Sequence, residues 1–479
     1  MAPADTALVR PSLHPRGASA GAHARGLSPL ERGLRLFTDV QPGEGLTAVV
    51  MFANVFLILC AYYFVKPLRD GWIAISPVGS LSKMEVKAYT SFAQGVILLG
   101  AMSAYGGLAA RWSRRALITR TTAFCMLNLL GFWLLRPGFL VADVPGAGVA
   151  FYVWVGMFGA FVVSQFWAFA ADLYAADRGR RLLPLIGVGA TAGAAVGALL
   201  AETIVRRGLR DPGALLLAAN LPLAASIALT VVADARGPAY AAGPRGARRP
   251  AAPPPEDAAR GTGALALLVR HRYLMAVAGV TLLTNWVGTN GENLLFRVVQ
   301  DALAGDLAAR GITDPGAVRA FVARGTTAFY GGFFFWVNVV ALALQALLAS
   351  RLLAYGGFGL VLLLLPVVSL LTYSTMAFLP VLLVVRVTKT AENAISYSIN
   401  NTARQVLWLP TTAEMKYKAK PTIETLFVRL GDGLAAATVL VGVQLLALST
   451  RGFFLLNVAL VGCWLLAAAV VVREHARLG

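Results

Sequence analysis

Long apolar runs, each about twenty residues, alternate with short polar loops along the whole chain. They fall near 46–66, 88–110, 116–135, 149–171, 182–205, 213–233, 273–296, 326–348, 357–376, 377–400, 422–448 and 453–472. A helix rising about 1.5 Å per residue needs roughly twenty residues to cross a ~30 Å hydrocarbon core, so each run predicts a transmembrane helix. The pattern predicts an all-α membrane protein of about twelve spans. The count turns on how Pro366 and Pro380 divide one long stretch. Six runs lie on each side of 234–262, whose Ala, Gly, Pro and Arg content reads as a flexible linker. The expected layout is a tail over 1–45, a six-helix bundle over 46–233, that linker, and a second bundle over 263–479. Within the tail, 1–27 lacks the apolar core of a secretory signal and reads as disordered. Ser28-Pro29-Leu30-Glu31 then predicts a cap opening a short amphipathic helix through Phe37.

Composition strengthens the membrane reading. Of the residues, 58% are hydrophobic and 14% charged, with a mean hydropathy of +0.69. A soluble chain carries about a quarter charged residues. The net charge of +19 raises nucleic-acid binding as a question, but no basic, aromatic-interleaved soluble module is present. The cations lie mostly in short loops instead. With the N-terminus in the cytoplasm, about 25 of the 42 Lys and Arg fall on the inner side and about 11 on the outer. Both termini are therefore expected inside a bacterial inner membrane. Cys60, Cys125 and Cys463 stand at unrelated spacings within apolar runs, and the four histidines are scattered, so no metal or disulfide pattern emerges. GVGATAG at 187–193 opens a membrane helix after an Arg-rich loop, which argues against a dinucleotide site. With no phosphate-cradling loop and no nucleophile elbow, neither an enzyme nor a cofactor is expected.

Ionisable residues inside apolar runs cost roughly 2.5–3.5 kcal/mol each on insertion, and they usually face a wet cavity or a partner. YYFVKPLRDGW places Tyr62, Lys66 and Arg69 on one helical face beside Asp70; a snorkelling helix end is the alternative. TNWVGTNGENLLFR forms a polar stripe of Asn285, Thr289, Glu292 and Asn293, either a counter-ion site or a structural hydrogen-bond network. In VVRVTKTAENAISYSINN, Arg386, Lys389, Asn393, Ser396 and Asn400 make a continuous polar face, with Glu392 one turn from Lys389. Glu424, Arg429 and Asp432 carry a basic loop into the eleventh run, and Arg120 stands alone on the third. Substrate-binding candidates are Lys66, Arg69, Arg386, Lys389 and Asn393. Coupling or counter-ion candidates are Asp70, Glu292, Glu392, Glu424 and Asp432. Basic groups meeting in a low-dielectric cavity suit a small anionic solute.

The loop GGLAARWSRRALI resembles the major facilitator loop signature at Gly106, Leu108, Ala109, Arg111, Arg114 and Arg115, with Ala110 at its acidic position and Ser113 at its second glycine. The resemblance implies a six-plus-six fold of pseudo-repeated halves around a midplane site. It also implies an inner gate in which Arg111 pairs with Asp172, with Arg180 and Arg181 nearby; the alternative is that these arginines only enforce topology. Gly187, Gly189 and Gly193 after Arg178, Arg180 and Arg181 are echoed by Gly431 and Gly433 after Lys416, Lys418 and Lys420. Close helix packing accounts for such glycines equally well.

Three further segments narrow the resemblance: PGEGLTAVVMFANVFLILCAYYFVKPLRDGW, FWAFAADLYAADRGRRLLPLIGVGA and ARQVLWLPTTAEMKYKAKPTIETLFVRLGDG. They resemble bacterial relatives of the ATP/ADP translocase (nucleotide transporter) family from about Phe37 to Arg473. The resemblance implies a monomeric secondary transporter of a nucleotide or another anionic metabolite. Leu68-Arg69-Asp70 keeps the charges of the family's Leu-Lys-Asp. Arg178 stands where members carry a glutamate, Arg404-Gln405 replaces Lys-Glu, and Asp432 replaces a lysine after Arg-Leu-Gly. Fold is thus expected to carry over and ATP/ADP exchange is not. The competing expectations are a transporter of a non-nucleotide organic anion and a non-transporting membrane scaffold or sensor.

Overall fold

The computed structural model describes residues 28–35, 38–139, 144–174, 176–208, 211–241, 264–412 and 414–478. The tail over 1–27 and the linker from 242 to 262 lie outside the described residues. Among the described residues the chain is helical throughout, without a strand. Ten helices among the described residues are long and apolar enough to cross a membrane. The seventh and tenth runs also fold as helices, over Arg272–Ala309 and 382–406, but their polar stripes make them too hydrophilic to meet that criterion.

The first half opens with α1 (Pro29–Leu34) and continues through α2 (Gly45–Ile73), α3 (Lys83–Arg111), α4 (Arg114–Leu134), α5 (Ala147–Leu173) and α6 (Ala176–Arg206). It closes with α7 (Ala214–Ala218) and α8 (Asn220–Ala241). The second half runs from α9 (Ala264–Arg270) to α10 (Arg272–Ala309), α11 (Pro315–Leu344), α12 (Ser350–Phe378) and α13 (Leu382–Ile395). After a π turn come α14 (Asn401–Val406), α15 (Lys420–Thr422), α16 (Val428–Leu440) and α17 (Thr450–Leu478). Pro366 sits inside α12, whereas Pro380 falls in the break before α13 and separates two helices.

Among the boundaries that differ from the sequence pattern, three bear on the site and the linker. Helix α8 runs on to Ala241, into the stretch that composition marks as linker. Helix α10 extends past the apolar run to Ala309, because LLFRVVQDALAGDLAA keeps good helix formers while exposing Asp301 and Asp306 at its end. Helix α2 continues through Lys66, Arg69 and Asp70 to Ile73, so this cluster is inside the helix and not at its tip.

Residues from 40 to 233 build one apolar core around Phe151, Phe158 and Phe166. The other core centres on Tyr330, Phe333 and Tyr373, and it takes in Tyr63, Ile73, Met84, Val86 and Tyr152 of the first half. The halves therefore merge at the end where α2 finishes and α3 begins. There Lys83 Nζ donates to Gln300 Oε1 at 3.2 Å, and Gln444 Nε2 donates to Glu85 Oε1 at 2.6 Å. Toward its other end α3 is largely exposed from Val96 to Ala109.

Small residues set the helix spacing. A Cβ on Gly193 of α6 would collide with the Phe56 carbonyl oxygen of α2, and one on Gly197 with that of Cys60. Backbone cannot yield as a side-chain tip can, so Gly193→Ala is expected to lower stability by about 1–3 kcal/mol. A thermal unfolding midpoint equal to wild type would refute this.

Helix α1 begins as its sequence predicts. Ser28 Oγ accepts from the Glu31 backbone amide, and the Glu31 carboxylate accepts from that of Ser28 at 2.8 Å, a complete capping box. The same carboxylate accepts from Gly43 N at 2.5 Å and tethers the turn before α2. The Ser28 amide first, then those of Gly43 and Gly45, hold the Glu31 carboxyl below its ordinary pKa. A folded-state pKa below the unfolded one adds stability that is present at neutral pH and disappears as pH falls through the lowered value. Hydrogen exchange over 28–45 is expected to accelerate in that acidic window in wild type and to lose this pH dependence in Glu31→Gln.

Candidate functional site

A cavity of about 510 Å³ lies against the second half, lined by Thr284, Asn285, Glu292, Asn393, Asn400 and Arg404, among others. It follows the polar stripes of α10 and of the helix over 382–406, and it extends away from the merged end toward Arg404. Amides, hydroxyls, the Glu292 carboxylate and the Arg404 guanidinium make this wall a hydrogen-bonding surface. Asn393 Nδ2 donates to Glu292 Oε1 at 2.8 Å and fixes that carboxylate in the cavity.

Behind Glu292 stands Lys389, with its side chain 1% exposed. Its ammonium lies 2.6 Å from Glu392 Oε2, 3.8 Å from Glu292 Oε1 and 3.3 Å from the Tyr373 hydroxyl. Glu392 in turn accepts from Ser369 Oγ at 2.7 Å and from Tyr373 at 3.3 Å. One lysine thus serves two carboxylates, and this cluster carries a net negative charge.

The first half supplies the opposite charge. Lys66 forms no ion pair among the described residues; its ammonium lies 4.0 Å from the ring centre of Phe334 and 4.9 Å from that of Tyr63. Pro67 follows it and leaves the Tyr63 carbonyl without its helical donor. Glu292 lies within electrostatic reach of Lys66 across the seam, as does Tyr62 from its own helix. Arg69 stacks on Tyr152 at 4.5 Å and sits 3.6 Å from Asp70. Arg386 takes another direction. Its guanidinium and the Glu202 carboxylate both crowd Gly332 of α11, and Phe329 lies 5.7 Å away.

Lys66, Arg69, Asp70, Glu292, Lys389, Glu392 and Asn393 thus form one connected region at the seam, while Arg386 stands to its α6–α11 side. Asp432 is held by Thr289 at 2.8 Å and by Arg429 at 3.0 Å, which joins α16 to α10. Glu424 is exposed and outside this region. Asp172 does not pair with Arg111. Its partner is Arg114, at 3.6 Å, which also binds Asp234 at 2.7 Å, because Arg114 begins α4 and points back toward α5 and α8. Arg181 binds Glu44 at 3.0 Å and Arg178 lies 3.3 Å from the same carboxylate, pinning the start of α6 to the turn before α2. Arg180 is exposed. Arg120 lies 4.9 Å from the Trp112 ring, within its own half.

Lys87, a charged residue of the seam, escaped the sequence pattern. Lys87 stands 3.0 Å from Asp70 and donates to the Tyr330 hydroxyl at 3.2 Å. It precedes the apolar run at 88–110 and reads as an ordinary charge near a helix start. Its signal is the spacing from Ser82, which caps α3 and places Lys87 more than a turn inside it.

No family model matches this chain, and no curated protein matches it. Solved structures do. The nucleoside transporter NupG aligns at 12% identity over 89% of this chain and 98% of its own, with a TM-score of 0.58. An auto-inhibited POT family peptide transporter aligns at 12% identity over 90% and 97%, also with a TM-score of 0.58. The human organic anion transporter MFSD10 (TETRAN) aligns at 16% identity over 90% and 100%, with a TM-score of 0.51. At such identities the likeness establishes the fold: this is an all-α, multi-pass membrane protein of the major facilitator type.

Proposed function

We propose that this protein is a secondary active transporter that moves a small anionic metabolite across the bacterial inner membrane by alternating access. The observation that carries the reading is Lys66, which forms no ion pair among the described residues and is held among aromatic rings between the two halves, with Glu292 of the cavity wall within electrostatic reach. Removing an ammonium from water without a counter-ion is costly, and a bound anion offsets that cost. Lys66 and Arg69 hold the anionic group, Glu292 and Asn393 orient the rest of the solute, and the Lys389–Glu392 pair keeps Glu292 in place. The merged end faces the periplasm and the cavity opens toward the cytoplasm, where both termini lie. Arg114 with Asp172 takes the place at the inner end that the loop signature assigns to Arg111. The transporters named for nucleosides and organic anions that share this fold support a small-solute substrate.

A nucleotide or another phosphorylated metabolite, in exchange or with a proton, is the substrate that the ATP/ADP translocase resemblance supports. A second reading, a non-nucleotide organic anion, is favoured by Asp432. Where the family carries a lysine, this acid pairs with Arg429 at 3.0 Å and leaves one cation fewer on α16. Uptake into proteoliposomes separates the two. Exchange of labelled nucleotide supports the first, and uptake of organic acids without nucleotide exchange supports the second. If neither class is taken up and Lys66→Gln leaves the cellular phenotype intact, a non-transporting role stands instead.

A further inference from the structure

We propose that Lys87 is the latch of the merged end, and that Asp70 links this latch to the anion-binding Arg69. The inference rests on the transporter reading above and assigns a role to a residue that reading does not use. Lys87 belongs to α3 of the first half, and its side chain is 4% exposed. Its ammonium crosses the seam into a slot of the second half, 4.5 Å from the ring centre of Phe296 on α10 and 4.9 Å from that of Tyr330 on α11. The Tyr330 hydroxyl accepts from it at 3.2 Å. Its counter-ion, Asp70 at 3.0 Å, comes from its own half. When the halves part at this end, Lys87 leaves Phe296 and Tyr330 and meets water, while Asp70 travels with it. The slot contacts therefore exist in one state only, which is the differential interaction that biases a conformational equilibrium.

The surroundings fit a seal. Gly71, next to Asp70, abuts α11 so closely that a Cβ would strike Thr327 Oγ1 and the Ala323 carbonyl oxygen. In the turn before Lys87 the seam is closed by Lys83 with Gln300 and by Glu85 with Gln444.

Asp70 is also placed to transmit. It lies between Lys87 at 3.0 Å and Arg69 at 3.6 Å, and neither carboxylate oxygen makes a well-aligned hydrogen bond. Its contacts are ionic and exchangeable. An anion that engages Arg69 competes with Asp70 for the guanidinium, leaves Asp70 to Lys87, and so tightens the latch.

The test is a distance measurement across the merged end. Spin labels at Ser80 and Thr313, both exposed and on opposite halves, are introduced into the full chain with the exposed Cys463 changed to Ser. Lys87→Gln is expected to raise the separated population about tenfold or more, because buried Asp70 loses its nearer cation and keeps only Arg69 at 3.6 Å. Tyr330→Phe, which keeps the ring and removes only the acceptor, shifts it less in the same direction. Arg69→Gln shifts it the opposite way, since Asp70 then serves Lys87 alone. The double variant Asp70→Asn with Lys87→Met returns toward wild type, as the buried carboxylate that lost Lys87 is itself removed. An unchanged distribution in both Lys87→Gln and Tyr330→Phe overturns the latch, and a shift toward separation in Arg69→Gln overturns the link through Asp70. These distances are read without solute, so absence of any uptake would refute the transporter reading while leaving the latch decided on its own measurement.

Discussion

Replacing Lys66 by glutamine is expected to cut solute uptake about a hundredfold while leaving the protein as stable as wild type or more so. The two halves of this expectation have one cause. In the structure Lys66 pays no part in any ion pair among the described residues; its ammonium rests on Phe334 at 4.0 Å and Tyr63 at 4.9 Å. Cation–π contacts of this kind return about 0.5–2 kcal/mol, less than the several kcal/mol that effective desolvation of an ion costs. Without solute, then, the site is held in an unfavourable state, and glutamine relieves it. With solute, the same charge meets an anion in a low-dielectric seam. Truncating one partner of a buried, hydrogen-bonded charge pair costs about 2–5 kcal/mol, and about 2.7 kcal/mol corresponds to a hundredfold in affinity. Lys66→Arg keeps the charge and is expected to restore part of the uptake, limited by the fit of a larger planar group in the ring cage. Thermal unfolding and proteoliposome uptake, measured on the same preparations, check both halves. Wild-type uptake in Lys66→Gln, or a marked fall in its unfolding midpoint, would show that Lys66 is a structural cation.

What could be read from residues alone divides along physical lines. Helix positions were legible because lipid imposes a length and an apolarity that composition cannot disguise. The polar faces of α10 and α13 were legible because Glu292, Lys389, Glu392 and Asn393 are each conspicuous within an apolar run. Pairing across space was not. Asp172 meets Arg114 in place of Arg111 because the turn at Ser113 starts α4 and carries Arg114 back over α5, a matter of one loop's backbone path. Lys87 was hidden because a lysine near a helix start is common, and only the neighbouring Asp70, Phe296 and Tyr330 distinguish it. Arg386 shares a face with Lys389 in the sequence pattern, yet it leans toward Gly332 and Glu202. Spacing on one helix identifies a face; which neighbour that face meets depends on the other eleven runs.

Lys389→Met is expected to have the opposite effect on stability from Lys66→Gln, although both remove a lysine from within a long helix. Lys389 is 1% exposed and bonded to Glu392, itself 6% exposed at the side chain, at 2.6 Å. Loss of the ammonium leaves Glu392 with only the Ser369 and Tyr373 hydroxyls, at 2.7 and 3.3 Å, and leaves Glu292 with Asn393. Breaking a buried ion pair from one side costs about 3–5 kcal/mol, since the remaining charge has neither water nor partner. Glu392→Gln is expected to cost less. Lys389 then retains Glu292 at 3.8 Å and needs only a modest movement to improve that contact. The double variant Lys389→Met with Glu392→Gln is expected to recover most of the loss, because no buried charge is then left unpaired beyond Glu292, which already lines the cavity and reaches water there. Such recovery is the signature of direct coupling between the two side chains. Thermal unfolding of the three variants beside wild type gives the comparison. Additive losses would mean that Lys389 and Glu392 act independently, and equal losses in the two single variants would mean that Glu292 is no alternative partner for Lys389.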